Sequence, residues 1–141
     1  MTRWRYVLVV LAGVLGGAAL GWSGQTDRPA AASDHHTIAI HFSRFEPTLV
    51  VVPAGVPVTF ELVNGDPIEH EWIVGDADVH RRHRLGTEPY HDEIPTEVTL
   101  AAFETRTTVV TFEKPGEYTF VCHLPGHEAY GMRGTVRVVG E

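Results

Sequence analysis

From Thr37 onward, apolar residues fall at every second position over short runs: Ile38, Ile40 and Phe42; Val56, Val58, Phe60 and Leu62; Thr108, Val110 and Phe112; Tyr118, Phe120 and Cys122; Val136 and Val138. Successive side chains of a strand point to opposite faces, so a period of two predicts strands with one buried face, whereas a helical core would repeat every three or four residues. Between the runs stand Pro53-Ala54-Gly55, Asn64-Gly65-Asp66-Pro67, Lys114-Pro115-Gly116 and Leu124-Pro125-Gly126, which read as turns. Seven or eight short strands joined this way predict an all-β, Greek-key β-sandwich or barrel. Asp76 to Glu97 breaks the pattern. It is polar, carries His80, His83 and His91, and has no sustained periodicity, so it is expected to be a long connection with at most a short helical turn.

The 141 residues suffice for one domain and exclude a multidomain enzyme. Arg3 and Arg5 precede an uncharged apolar or glycine run from Val7 to Leu20, the layout of a secretory signal. Counted out to Trp22, the run also nears the length of an uncleaved anchor. Residues 1–32 are therefore expected to be a signal peptide or N-terminal anchor with a linker, and residues 33–141 the folded domain. The expected location is periplasmic, extracellular or anchored on the outer side of the cytoplasmic membrane. Without residues 1–32 the chain keeps 8 basic against 17 acidic residues, net −9, which disfavours nucleic acid and anionic lipid as partners.

Cys122 is the single cysteine, so neither an internal disulfide nor a Cys-x-x-Cys zinc site is available. Cys122 closes one predicted strand and Met132 opens the next. His127 lies midway in a loop that Pro125, Gly126 and Gly131 allow to fold tightly. Thiolate and thioether suit Cu(I) and imidazole suits Cu(II), which is the donor set of a blue-copper site lacking one imidazole. His70 supplies it. It follows the Asn64–Pro67 turn as the next strand begins, at an end of the sandwich the Cys122–Met132 loop can share. His123, adjacent to Cys122 on a strand, is expected to point to the opposite side. Trp72 reads as core, and His80, His83 and His91 read as solvated, although they offer material for a second metal site.

The stretch Gly-Glu-Tyr-Thr-Phe-Val-Cys122 through Gly-Met132-Arg-Gly-Thr-Val resembles the cupredoxins, the family of plastocyanin, azurin and rusticyanin. It departs from plastocyanin in placing four residues between Cys122 and His127, a spacing nearer to rusticyanin. It also has Glu71 after His70, where plastocyanin and azurin commonly have an Asn that ties two loops together. The resemblance implies one type 1 copper per chain, with His70, Cys122 and His127 as equatorial ligands and Met132 as the axial one. It implies a monomeric one-electron carrier, not an enzyme, serving a redox partner such as a cytochrome or oxidase through the His127 end, where Leu124, Pro125 and Tyr130 would form a small apolar patch. A copper-binding module for sequestration, delivery or resistance is the competing reading. A nitrite reductase or oxidase fragment is disfavoured, because no open metal position is evident. Cleavage after Ala32 would also leave Ser33-Asp34-His35, whose α-amine, two amides and imidazole can wrap Cu(II) in a square plane.

Overall fold

The period-two runs become the strands of two packed sheets in the computed structural model, which describes residues 34–88 and 94–140. The expected leader, Ser33 and His91 lie outside the described residues. In chain order the elements are β1 (Asp34–Ile40), β2 (Phe45–Glu46), β3 (Leu49–Pro53), β4 (Pro57–Asn64), β5 (His70–Gly75), α1 (Ala77–Leu85), β6 (Glu97–Leu100), β7 (Thr105–Thr111), β8 (Gly116–Val121) and β9 (Arg133–Val139). One sheet has the order β2-β1-β4-β7 and the other β3-β9-β8-β5-β6. Two pairings are parallel, β1 with β4 and β3 with β9, and the rest are antiparallel. The registers Ile40↔Asn64, His70↔Leu100 and Val121↔Arg133 bring the ends of β1, β4, β6 and β8 and the starts of β5 and β9 to one pole of the sandwich. The loops 41–44, 65–69, 101–104 and 122–132 therefore meet there.

The core is fastened across the sheets by aromatic contacts. Phe60 of β4 meets Trp72 of β5 at 5.0 Å between ring centroids, Trp72 meets Phe120 of β8 at 6.2 Å, and Phe45 of β2 meets Phe120 edge-on at 5.1 Å. Gly134 of β9 lies under the Phe120 ring. A Cβ there would overlap that ring and stand 2.8 Å from the Thr48 carbonyl oxygen. Gly134→Ala is thus expected to cost about 1–3 kcal/mol through overpacking, read as a lowered denaturation midpoint.

Three expectations are corrected. Phe42 does not continue the inward face of β1, because the chain turns at His41–Arg44 and the N–H groups of Phe42 and Ser43 bond the Asp66 carboxylate at 2.8 and 2.7 Å. Phe42 thereby becomes an exposed residue with φ 53°. The segment after Asp76, where the sequence predicts no more than a short helical turn, holds a nine-residue helix. Asp76 caps it by accepting from the N–H groups of Asp78 and Val79, and Gly86 ends it at φ 62°, a left-handed position glycine takes without strain. Finally, the His80 and His83 side chains are buried against the second sheet, not solvated. At the far end of the molecule, Asp34 and His35 pair with Val58 and Thr59, so a chelate requiring their amide nitrogens competes with the sheet.

Candidate metal centre

Three elements deliver donor atoms to the pole. β5 opens with His70, which register and burial direct into the sandwich, and Cys122 follows directly on β8 with its side chain fully buried. His127 comes from the loop between β8 and β9. That loop is folded on itself: His127 N–H donates to Leu124 O, Tyr130 N–H to Gly126 O, Gly131 N–H to Glu128 O and Met132 N–H to His127 O, all at 2.9–3.0 Å. Gly126 and Gly131 sit at φ 86° and 90°, so the tight loop depends on the two glycines anticipated for it.

Cys122 Sγ lies 3.2 Å from His127 Nδ1, and His70 Nδ1 lies 3.3 Å from the same nitrogen. Among the described residues, His70, Cys122 and His127 are the one group of three or more His, Cys, Asp or Glu whose donor atoms converge, all within 4.8 Å of one another. Met132 is wholly buried beside them, and its carbonyl accepts from Cys122 N–H at 3.2 Å. His70 and Cys122 are buried, whereas His127 is partly exposed.

The electrostatics suit a soft metal. Burial pushes the Cys122 thiol up to about 11, only partly opposed by the Glu71 N–H that points at Sγ from 3.4 Å. Burial lowers the His70 pKa, keeping the imidazole neutral with a lone pair to give. One thiol and two imidazole Nδ1 atoms match the equatorial donor set of a copper–thiolate centre.

His70 Nε2 faces Asp66 Oδ2 at 3.0 Å. Burial alone would raise the Asp66 pKa, but the Ser43 and Phe42 N–H groups and the His70 bond together hold it below the ordinary carboxylate value. The turn itself is tied down by buried Asn64. Its side chain donates to Ile68 O and Ala101 O, each at 2.8 Å, and accepts from Asp66 N–H at 2.9 Å. Sequence reading identified this turn but not the carboxylate four residues before His70 as its hydrogen-bond partner. Glu71, which follows His70, ties β5 to the Cys122–Met132 loop, its carboxylate accepting from His123 N–H at 3.2 Å.

The His123 ring turns away from Cys122 Sγ and joins the helix. His80 Nε2–H donates to Thr119 O at 3.1 Å, which leaves Nδ1 as acceptor for His123 Nε2–H at 2.9 Å. His83 donates to Val79 O and stacks on His123, with centroids 5.1 Å apart and planes 17° apart. Glu128, held by Arg84 at 2.6 Å, stands 3.7 Å from His123 Nδ1. Burial, and next the neighbouring His80, push His123 down to about 4. His80 and His123, bonded to each other and to Thr119, pin α1 to the sheet, with His83 stacked on His123. His123→Ala is expected to leave the visible spectrum of the copper-loaded protein nearly intact, whereas His127→Ala is expected to remove its blue band.

The cupredoxin-like domain family matches residues 12–138. The copper-resistant cuproprotein CopI of Rubrivivax gelatinosus is 34% identical over 115 residues, 77% of this chain and 69% of that protein. CopI of Pseudomonas aeruginosa is 27% identical, with 93% of each chain covered. Among solved structures, the auracyanin of Roseiflexus castenholzii superposes with a TM-score of 0.65 at 24% identity, covering 77% of this chain and 98% of that one.

Proposed function

Starting from the premise that this chain belongs to the cupredoxins, the type 1 blue copper proteins, we propose that it carries single electrons between redox partners outside the cytoplasm. The observation that carries the reading is the arrangement of the donors. His70, Cys122 and Met132 are sealed in the sandwich, and His127 alone reaches the surface. Bound copper would supply one-electron chemistry between Cu(II) and Cu(I).

The chain's own residues do the rest. His70, Cys122 and His127 would hold the ion, and Met132, buried beside them, would add a weaker thioether donor. Because these donors are fixed by strands and by a self-bonded loop, they would move little when the charge on a bound ion changed, which would keep reorganisation small. In this reading the chain is an electron carrier rather than an enzyme. His127 is the electron's way out, and Tyr130, exposed beside it, offers an apolar contact for brief docking of a cytochrome or oxidase. Arg3, Arg5 and the Val7–Leu20 run support export, whether the leader is cleaved or retained as an anchor.

The names of the CopI relatives favour a second reading, in which the same donors sequester or deliver copper in resistance. Adding Cu(II) to the purified domain is expected to give one equivalent of tightly held, intensely blue copper. The two readings then separate kinetically. A carrier exchanges electrons with a cytochrome rapidly and yields copper to a Cu(I) chelator slowly. A delivery protein does the reverse. Met132→Leu is expected to retain copper and to raise its reduction potential, since the axial thioether tunes more than it holds. Loss of all copper or an unchanged potential would count against axial ligation.

A further inference from the structure

The Asp66 carboxylate is an unusually well-held side chain for a loop. Its Oδ1 accepts from Phe42 N–H at 2.8 Å, and its Oδ2 accepts from Ser43 N–H at 2.7 Å and faces His70 Nε2 at 3.0 Å. Its own N–H bonds Asn64 Oδ1, and its own carbonyl accepts from Phe103 N–H at 3.1 Å. Every polar group of the residue is engaged, and its own Asn64–His70 turn is joined there by two distant stretches, around Phe42 and around Phe103. Phe42 and Phe103 both adopt left-handed backbone conformations, φ 53° and 60°, while their side chains are 91% and 69% exposed. A non-glycine residue is held in that region only when its surroundings over-determine it. Asp66 supplies the hydrogen bond at both.

We propose that Asp66 is a positioning residue that fixes His70 as an Nδ1 donor and lowers the reduction potential of copper bound there. An ionised carboxylate only accepts hydrogen bonds, so the bond to Oδ2 requires the proton on His70 Nε2 and leaves Nδ1 bare toward Cys122 and His127. The tautomer and ring orientation are thus set before any ion arrives. Through the same bond the carboxylate places negative charge on the far side of the ligand ring. That makes the ring a stronger donor and favours the more highly charged ion, Cu(II), over Cu(I).

The potential-lowering half rests on the copper reading, whereas the positioning half is testable without metal. In the ¹⁵N-labelled, metal-free protein, two-bond proton–nitrogen correlations are expected to show His70 in one state, protonated at Nε2. A proton on Nδ1, or an averaged mixture, would overturn the proposal whether or not the protein binds copper. In the copper-loaded protein, Asp66→Asn is expected to weaken Cu(II) binding roughly 10–100-fold, the usual effect of losing a ligand's hydrogen-bond partner. Cu(I) binding is expected to fall less, so the potential rises. A variant that merely loosened the fold would lose affinity for both ions alike and leave the potential unmoved, and that result would sink the tuning role. If Asp66→Asn does not fold, the tautomer of the unmutated protein still decides the positioning. Failure of the unmutated protein to bind copper would refute the copper reading instead.

Discussion

Cys122→Ser is expected to abolish the thiolate-to-copper absorption and the tight copper binding together, while circular dichroism still reports a folded sandwich. A serine hydroxyl does not ionise near neutrality, so the strongest donor is lost and the two imidazoles are left without an anionic partner. The same thiol predicts a pH dependence in the unmutated protein. Burial holds Cys122 protonated up to about pH 11 in the absence of metal, and the metal binds the thiolate, so each ion taken up releases that proton. As pH rises toward 11 the proton competes less. The apparent copper affinity is therefore expected to climb about tenfold per pH unit from the thiol alone between pH 7 and 9. His70, whose pKa burial lowers from 6.5, is already neutral there and adds no competing proton. Competition titrations against a chelator of known protonation behaviour read the slope. A Ser variant that stayed blue, or a pH-independent affinity, would remove Cys122 from the centre.

Trp72→Ala is expected to be the most destabilising of the substitutions considered, costing about 3–5 kcal/mol, a large part of the 5–15 kcal/mol that typically separates a domain from its unfolded chain. Trp72 is fully buried and meets Phe60 from the opposite sheet and Phe120 from its own, so its removal opens a cavity where the two layers are fastened. It also stands two residues from His70 on the same face of β5, so the loss reaches the metal-binding pole. Trp72→Phe is expected to cost far less. The indole nitrogen is buried with no hydrogen-bond partner among the described residues, so phenylalanine discards a donor already unsatisfied. Urea midpoints of the two variants decide it; near-equal losses would contradict this account.

Strands such as β4 and β8 were legible because Val58, Phe60 and Leu62, or Phe120 and Cys122, alternate over enough residues to define a face. The helix was not, because what α1 buries is polar. His80 enters the protein through hydrogen bonds to Thr119 and His123, and His83 by stacking on His123, and a hydrophobic pattern does not register such burial. Phe42 misled for the converse reason. Its alternation with Ile38 and Ile40 is perfect, yet the backbone is turned outward by a carboxylate 24 residues away. At the metal centre, Cys122, His127 and Met132 were visible as a local spacing, and His70 as an imidazole opening a strand after a turn. Asp66 was hidden because its bonds to Phe42 and Ser43 exist only once β1 lies parallel to β4.

The place of β9, the last strand of the sandwich, also bears on when the centre can come into being as the chain folds. Residues 133–139 must reach back across most of the chain to lie beside residues 49–53, and pairings so distant in sequence form late and slowly. Until β9 lies beside β8, the Met132 carbonyl has no fixed place from which to accept the Cys122 N–H, and the His127 loop has only one of its two anchoring strands. A nascent chain that has exposed Cys122 but not yet its last strand therefore presents a bare thiol and no binding site. In this reading metal capture would follow the placing of the last strand, and copper met earlier would find an oxidisable sulfur where the finished protein offers a ligand.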